Sequence, residues 1–113
     1  MDTLQTTRKQ WLDAYYSGDH HLLNRLETDD FFIQQNHQLN NTALRYQHIE
    51  RSVQQGTWQP EPLLEKDIQF NKMNATEYQV TGVAYSAAIQ LRIEEKWQLE
   101  KDQWRVAYLK ILA

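Results

Sequence analysis

From Ile89 to Leu99 the chain alternates without interruption. Ile89, Leu91, Ile93, Glu95, Trp97 and Leu99 fall on one side of an extended strand, and Gln90, Arg92, Glu94, Lys96 and Gln98 on the other. Period two over that length cannot give a helix one buried side, so the segment is a strand with one apolar and one solvated face. The Lys101-Asp102 turn leads straight into Trp104 to Leu112, which predicts an antiparallel hairpin at the end of the chain. Upstream, Ile68 and Phe70 alternate with polar residues, a turn region spans Asn71 to Thr76, and Tyr78 to Tyr85 is a further β-rich run. Beyond the connection bracketed by Pro60 and Pro62 there is no helical period.

The first half reads differently. Asp2 to Ser17 is an amphipathic helix with Leu4, Trp11, Leu12 and Tyr15 at helical spacing, begun by a capping-box-like Asp2 and Gln5 and ended by Gly18. Asp19 caps a short second helix, His20 to Glu27, with Leu22, Leu23 and Leu26 on one face. Asp29-Asp30 turns into a strand at Phe31 to Ile33. Asn40-Asn41-Thr42 precede a third helix whose apolar face is Leu44, Tyr46, Ile49 and Val53 and which stops at Gly56. Helices followed by strands predict an α+β fold, three helices packed on one face of an antiparallel sheet.

With 113 residues the chain has length for one core, so residues 1–113 are read as a single domain. Its formal net charge of −3 comes with neither sign gathered into a block, which argues against nucleic acid as a partner. No apolar stretch is long enough for a membrane span and no signal-like segment opens the chain, so a cytoplasmic location is the default expectation. Without cysteine there is no thiolate nucleophile, thiolate metal site or disulfide.

Two groups of residues carry a family resemblance. Gly18-Asp19, Leu22, Leu26 and Asp29-Asp30-Phe31 are similar to the opening of nuclear-transport-factor-2-like proteins, which include ketosteroid isomerase and SnoaL-like proteins. Glu95-Lys96-Trp97-Gln98-Leu99, a turn, and Trp104-Arg105-Val106-Ala107 resemble their closing hairpin. The resemblance implies a cone-shaped α+β fold with a pocket between helices and sheet, and it leaves the activity open, because such folds host enzymes, binders and assembly modules. The isomerase in that family uses a hydroxyl donor on the first helix, a carboxylate base on the first strand and a protonated carboxyl on a later strand. The positions resembling the first two hold Trp11 and Gln35, which cannot do that chemistry, while Glu95 falls where the late acid would lie.

Tyr15 is a candidate for a displaced hydroxyl and His48, at the border of the third helix's apolar face, for an acid–base partner. His20, His21 and His37 complete the histidines, and none has the spacing of a metal site. Trp104, Val106, Tyr108 and Lys110 alternate on one strand face, so Lys110 is a candidate to meet an anionic ligand or Glu95. No glycine-rich phosphate loop or nucleophile elbow is present, and no cofactor is expected.

These observations predict a domain that binds a small apolar or weakly anionic molecule in an aromatic pocket of Trp11, Tyr15, Gln35, Trp97, Tyr108 and Lys110 around Glu95. One alternative is a SnoaL-like lyase, isomerase or cyclase with Glu95 acting beside Tyr15 or His48. The other is a self-association module with a vestigial pocket, like the association domains of calmodulin-dependent kinases, which a cavity below roughly 300 Å³ would favour. A homodimer is expected because Ala107, Leu109 and Ile111 make the second face of the last strand apolar, and no helix remains to cover it. Burial of Glu95 is expected to raise its pKa unless Lys110 or an arginine offsets it, in which case of no offset Glu95→Gln would slightly stabilise the fold.

Overall fold

A computed structural model describes residues 3–36, 38–40 and 42–112. Asp2, His37 and Asn41, named above as a cap, a titratable candidate and a cap, lie outside them. Helix α1 is Leu4–Ser17, α2 is His20–Leu26, and α3 is Thr42–Gln54. The strands are β1 (Glu27–Gln35), β2 (Gln38–Asn40), β3 (Leu64–Asn74), β4 (Glu77–Tyr85), β5 (Gln90–Glu100) and β6 (Gln103–Leu112). They form one curved sheet in the order β2-β1-β6-β5-β4-β3, with β1 parallel to β6 and the other pairings antiparallel. The sheet is therefore mixed where alternation alone suggested a purely antiparallel one, because β1 and β6 are joined through a long excursion that the local pattern does not encode.

Thr3 caps α1, its hydroxyl accepting the Thr6 N–H at 3.1 Å. The helix buries Leu4, Thr7, Arg8, Trp11 and Ala14, a stripe at three- and four-residue spacing that contains a charged member. Gly18 ends it in the left-handed region at φ +78°, and the Asp19 N–H reaches back to the Ala14 carbonyl at 2.8 Å. A Cβ on Gly18 would stand 2.5 Å from Cγ2 of Val53 and 2.9 Å from Cδ1 of Trp58, so α3 and the following loop close directly onto this corner.

Asp19 caps α2 as expected, but that helix stops one residue early. Glu27 is already extended, at φ −108° and ψ 144°, which turns its side chain under the helices. The buried side of α3 is also rotated from the expected one. Ile49 and Ser52 are buried with Arg45 and Tyr46 half-buried, whereas Leu44 is 67% and Val53 44% exposed. The Arg45 and Tyr46 contacts to Glu27 set this rotation.

Lys101 and Asp102, at φ +50° and +65°, form the two-residue turn of the predicted hairpin. Within that hairpin Lys96 pairs with Tyr108 and Trp97 with Val106, so Ala107 is an extra residue in β6, a β-bulge. The bulge reverses the side-chain phase of β6. Trp104 and Val106 point toward the helices, and beyond it Leu109 and Ile111 take that direction while Tyr108 and Lys110 turn to the outer face. Leu109 and Ile111 thus face the interior of the same chain, which removes the uncovered apolar strand face from which a dimer was inferred. A second bulge sits in β3, where Lys66 pairs with Val83 and Gln69 with Thr81, with Asp67 at φ +56°. It places Glu65 on the same inner face as Ile68 and Phe70. Gly82 lies opposite it, and a Cβ there would be 2.3 Å from Cδ1 of Ile68.

The core formed between α1, α2 and the inner face includes Trp11, Leu23, Leu26, Val80, Trp97 and Val106. Trp11 meets Trp97 edge to face at 5.6 Å between centroids, and burying an aromatic of this size contributes about 2–3 kcal/mol. Among the described residues no helix is long and apolar enough to cross a membrane.

Candidate functional site

Between α1 and the sheet lies a cavity of about 260 Å³. Trp11, Leu12, Tyr15 and Tyr16 of α1 form one wall, and Ala84, Ile93, Glu95, Leu109 and Ile111 of the sheet form the facing one. Leu63, Glu65 and Arg45 join the lining from the loop before β3, from β3 and from α3. Two bulges determine which residues take part, one admitting Glu65 and the other exchanging Tyr108 and Lys110 for Leu109 and Ile111.

Two buried ion-pair groups hold the walls in place. Arg8, 5% exposed, donates from Nε and Nη2 to Glu95 at 2.8 and 2.9 Å and from Nη1 and Nη2 to Glu65 at 2.9 and 2.6 Å. Glu95 also accepts from the indole N–H of Trp97 at 2.8 Å. Burial alone would lower the Arg8 pKa, but the hydrogen bonds and charges of Glu65 and Glu95 outweigh it, and the net direction is upward. In the other group Glu27 accepts from Trp11 at 2.8 Å, from Nη1 of Arg45 at 2.8 and 2.9 Å, and from the Tyr46 hydroxyl. Burial, followed by the bond to Glu27 and its charge, raises the Tyr46 pKa, while the guanidinium of Arg45 stacks over Phe31 and Tyr46. These arrangements satisfy carboxylates that would be too costly to bury alone.

The expected site residues divide accordingly. Trp11, Tyr15 and Glu95 line the cavity together. Tyr15 is half-buried, its pKa is raised chiefly by burial, and its ring packs edge to face on Trp58. Glu95 faces inward as its strand phase predicts, and Arg8 engages both of its oxygens, so the arginine that the expectation allowed for as an offset is the partner found there. Trp97 is fully buried behind Glu95 and does not line the cavity. Gln35 is exposed at the end of β1. His48 is exposed on α3 with its ring against Trp58, outside the lining, so it is not poised beside Glu95. Tyr108 and Lys110 stand on the outer face, the tyrosine donating to Glu94 at 3.0 Å and the lysine lying over the tyrosine ring. Burial and Glu94 push the Tyr108 pKa up to about 12.

Arg8, Glu27, Arg45 and Glu65 were missed. Arg8 did carry a signal, since it falls four residues after Leu4 and three before Trp11, on the apolar stripe itself. Among the described residues no three His, Cys, Asp or Glu side chains group as a metal site.

No protein-family model matches the chain, and no curated protein matches it by sequence. Solved structures do. An NTF2-like protein from Cytophaga hutchinsonii superposes with a TM-score of 0.81 at 14% identity, covering 100% of this chain and 99% of that one. The chain has the nuclear-transport-factor-2-like fold. An NTF2-like protein from Rhodospirillum rubrum matches with a TM-score of 0.74 at 15% identity over 99% and 98% of the two chains. The association domain of C. elegans CaMKII matches with 0.77 at 10% identity over 97% and 92%. Within this NTF2-like fold the cavity lies between the first helix and the inner face of the sheet, and identities this low carry architecture alone.

Proposed function

We propose that the chain is a small-molecule-binding domain that takes a compact, largely apolar ligand between α1 and the sheet. The observation that carries this reading is the cavity's lining. Aromatic and aliphatic side chains face its interior, and the charged groups at its walls are held by partners within the protein. Trp11, Tyr15, Leu109 and Ile111 would contact the ligand body. Catalysis by Glu95 has less support, because withdrawing a proton would require the carboxylate to give up bonds to Arg8 and Trp97. Native mass spectrometry of the purified protein tests the reading. A bound mass is expected on the wild type and should be lost from Ala84→Phe, which fills the cavity, and equal ligand-free spectra would count against it.

The cavity size favours a second reading. At about 260 Å³ it falls a little under the roughly 300 Å³ at which ordinary ligand cavities begin, the side of the line expected of an assembly module. The likeness to a kinase association domain and the exposure of Leu39, Leu44, Leu64, Ile89 and Leu112 support self-association, and a homodimer is its simplest form. Sedimentation at micromolar concentration separates monomer from dimer, and the same mass spectra report whether a ligand accompanies either.

A further inference from the structure

Resting on the ligand-binding reading above, we infer that the molecule the cavity takes carries a protonated amine, and that Glu65 receives it. The inference starts from how the wall charges cancel. Arg45 and Glu27 form a one-to-one pair through two contacts of 2.8 and 2.9 Å, which leaves no net charge on that side. Arg8, by contrast, is a single cation shared between two carboxylates, so its group carries one uncompensated negative charge. The side chain of Glu95 is 1% exposed, whereas that of Glu65 is 27% exposed and lines the cavity. Glu65 is therefore where an incoming ligand meets that charge.

The neighbouring cations do not offset it. Lys110 lies over Tyr108 and Lys96 pairs with Glu77, both on the outer face, and Lys66 stacks over Tyr85. A neutral ligand strips water from Glu65 and returns at most one weaker hydrogen bond, and an anion adds repulsion in surroundings of low dielectric. An ammonium neutralises the group and gains a charge-assisted hydrogen bond. The rings of Tyr15, Tyr16 and Trp11 supply further faces for a cation next to an apolar body.

Benzylamine, benzyl alcohol and benzoate share one shape and differ in charge, so calorimetric titration of the three into the wild-type protein at neutral pH tests the inference. Benzylamine should bind about tenfold more tightly than benzyl alcohol, with benzoate weakest. In Glu65→Gln, where Arg8 keeps Glu95, the amine should lose that tenfold advantage while benzyl alcohol binds as before. If the alcohol or benzoate binds the wild type as tightly as the amine, the inference is overturned and the binding reading stands. If none of the three binds at millimolar concentration, the binding reading falls and this inference with it. An amine preference that survives in Glu65→Gln overturns the role of Glu65.

Discussion

The guanidinium of Arg8 grips the carboxylate of Glu95 through two hydrogen bonds of 2.8 and 2.9 Å, joining the first helix to a strand 87 positions later. Removing one partner from such a buried pair strands the other charge. Glu95→Gln should therefore destabilise the protein by roughly 3 kcal/mol, with Glu65 still holding Arg8 and keeping the loss at the low end for buried pairs. Arg8→Lys should not rescue the contact, since an ammonium cannot bridge two carboxylates with a planar fork. Urea unfolding at neutral pH reads both variants, and unchanged midpoints would show that the pairing contributes nothing.

Alkaline pH should weaken the fold through its tyrosines. Tyr46, Tyr15 and Tyr108 all have pKa values raised above the ordinary tyrosine value of about 10, Tyr108 to about 12. For an acid raised in the folded state the stabilisation is complete below the unfolded-state pKa. It is lost as pH rises from there through the folded value, because the unfolded chain gives up its proton first. Melting temperature should fall from about pH 10 upward, and Tyr46→Phe should flatten that fall while costing about 1 kcal/mol at neutral pH. An equally steep fall in the variant would remove Tyr46 from the account.

Much of this architecture is legible in the sequence because its causes are local. The alternation of Ile89 to Leu99, the Lys101-Asp102 turn and the Gly18-Asp19 corner each depend on neighbouring residues, and each is found where it was expected. The parallel pairing of β1 with β6 depends on a distant partner and left no such mark, and β2 pairs with its neighbour β1 but has only three residues and one apolar side chain, too few for alternation to show. The site was harder to read for two physical reasons. A charged residue on an apolar stripe, such as Arg8, looks like a surface side chain until its partners from β3 and β5 are known. The bulge at Ala107 is silent because Trp104, Val106 and Tyr108 continue a plausible alternation straight through it.

Gly18 should tolerate no side chain. Gly18→Ala adds left-handed strain to a contact 2.5 Å from Val53, a combined cost of about 2–4 kcal/mol. Gly56→Ala is the control, with φ +71° but nothing within 4 Å, and should cost only about 1 kcal/mol. Thermal melts of the two variants, together with Gly18→Ala combined with Val53→Ala to relieve the crowding alone, separate backbone strain from packing.

The phase of β6 can be read by chemical labelling, because the chain has no cysteine of its own. Benzyl alcohol should protect Leu109→Cys from a maleimide and leave the labelling of Lys110→Cys unchanged. Protection of the residue 110 thiol instead would place the bulge elsewhere.

The bulges at Asp67 and Ala107 have a consequence for how such a chain can change. Closing the bulge at Ala107 by a one-residue slip of the ladder, with every residue kept, would swing Lys110 from the outer surface toward the cavity and Leu109 away from it, and a slip that closes the bulge at Asp67 would likewise turn Glu65 outward. The polarity of the interior is thus an accident of strand phase as much as of composition. A slip of one position would exchange the groups that meet a ligand without any substitution at the walls, whereas a single-codon deletion of either extra residue would leave those walls as they are.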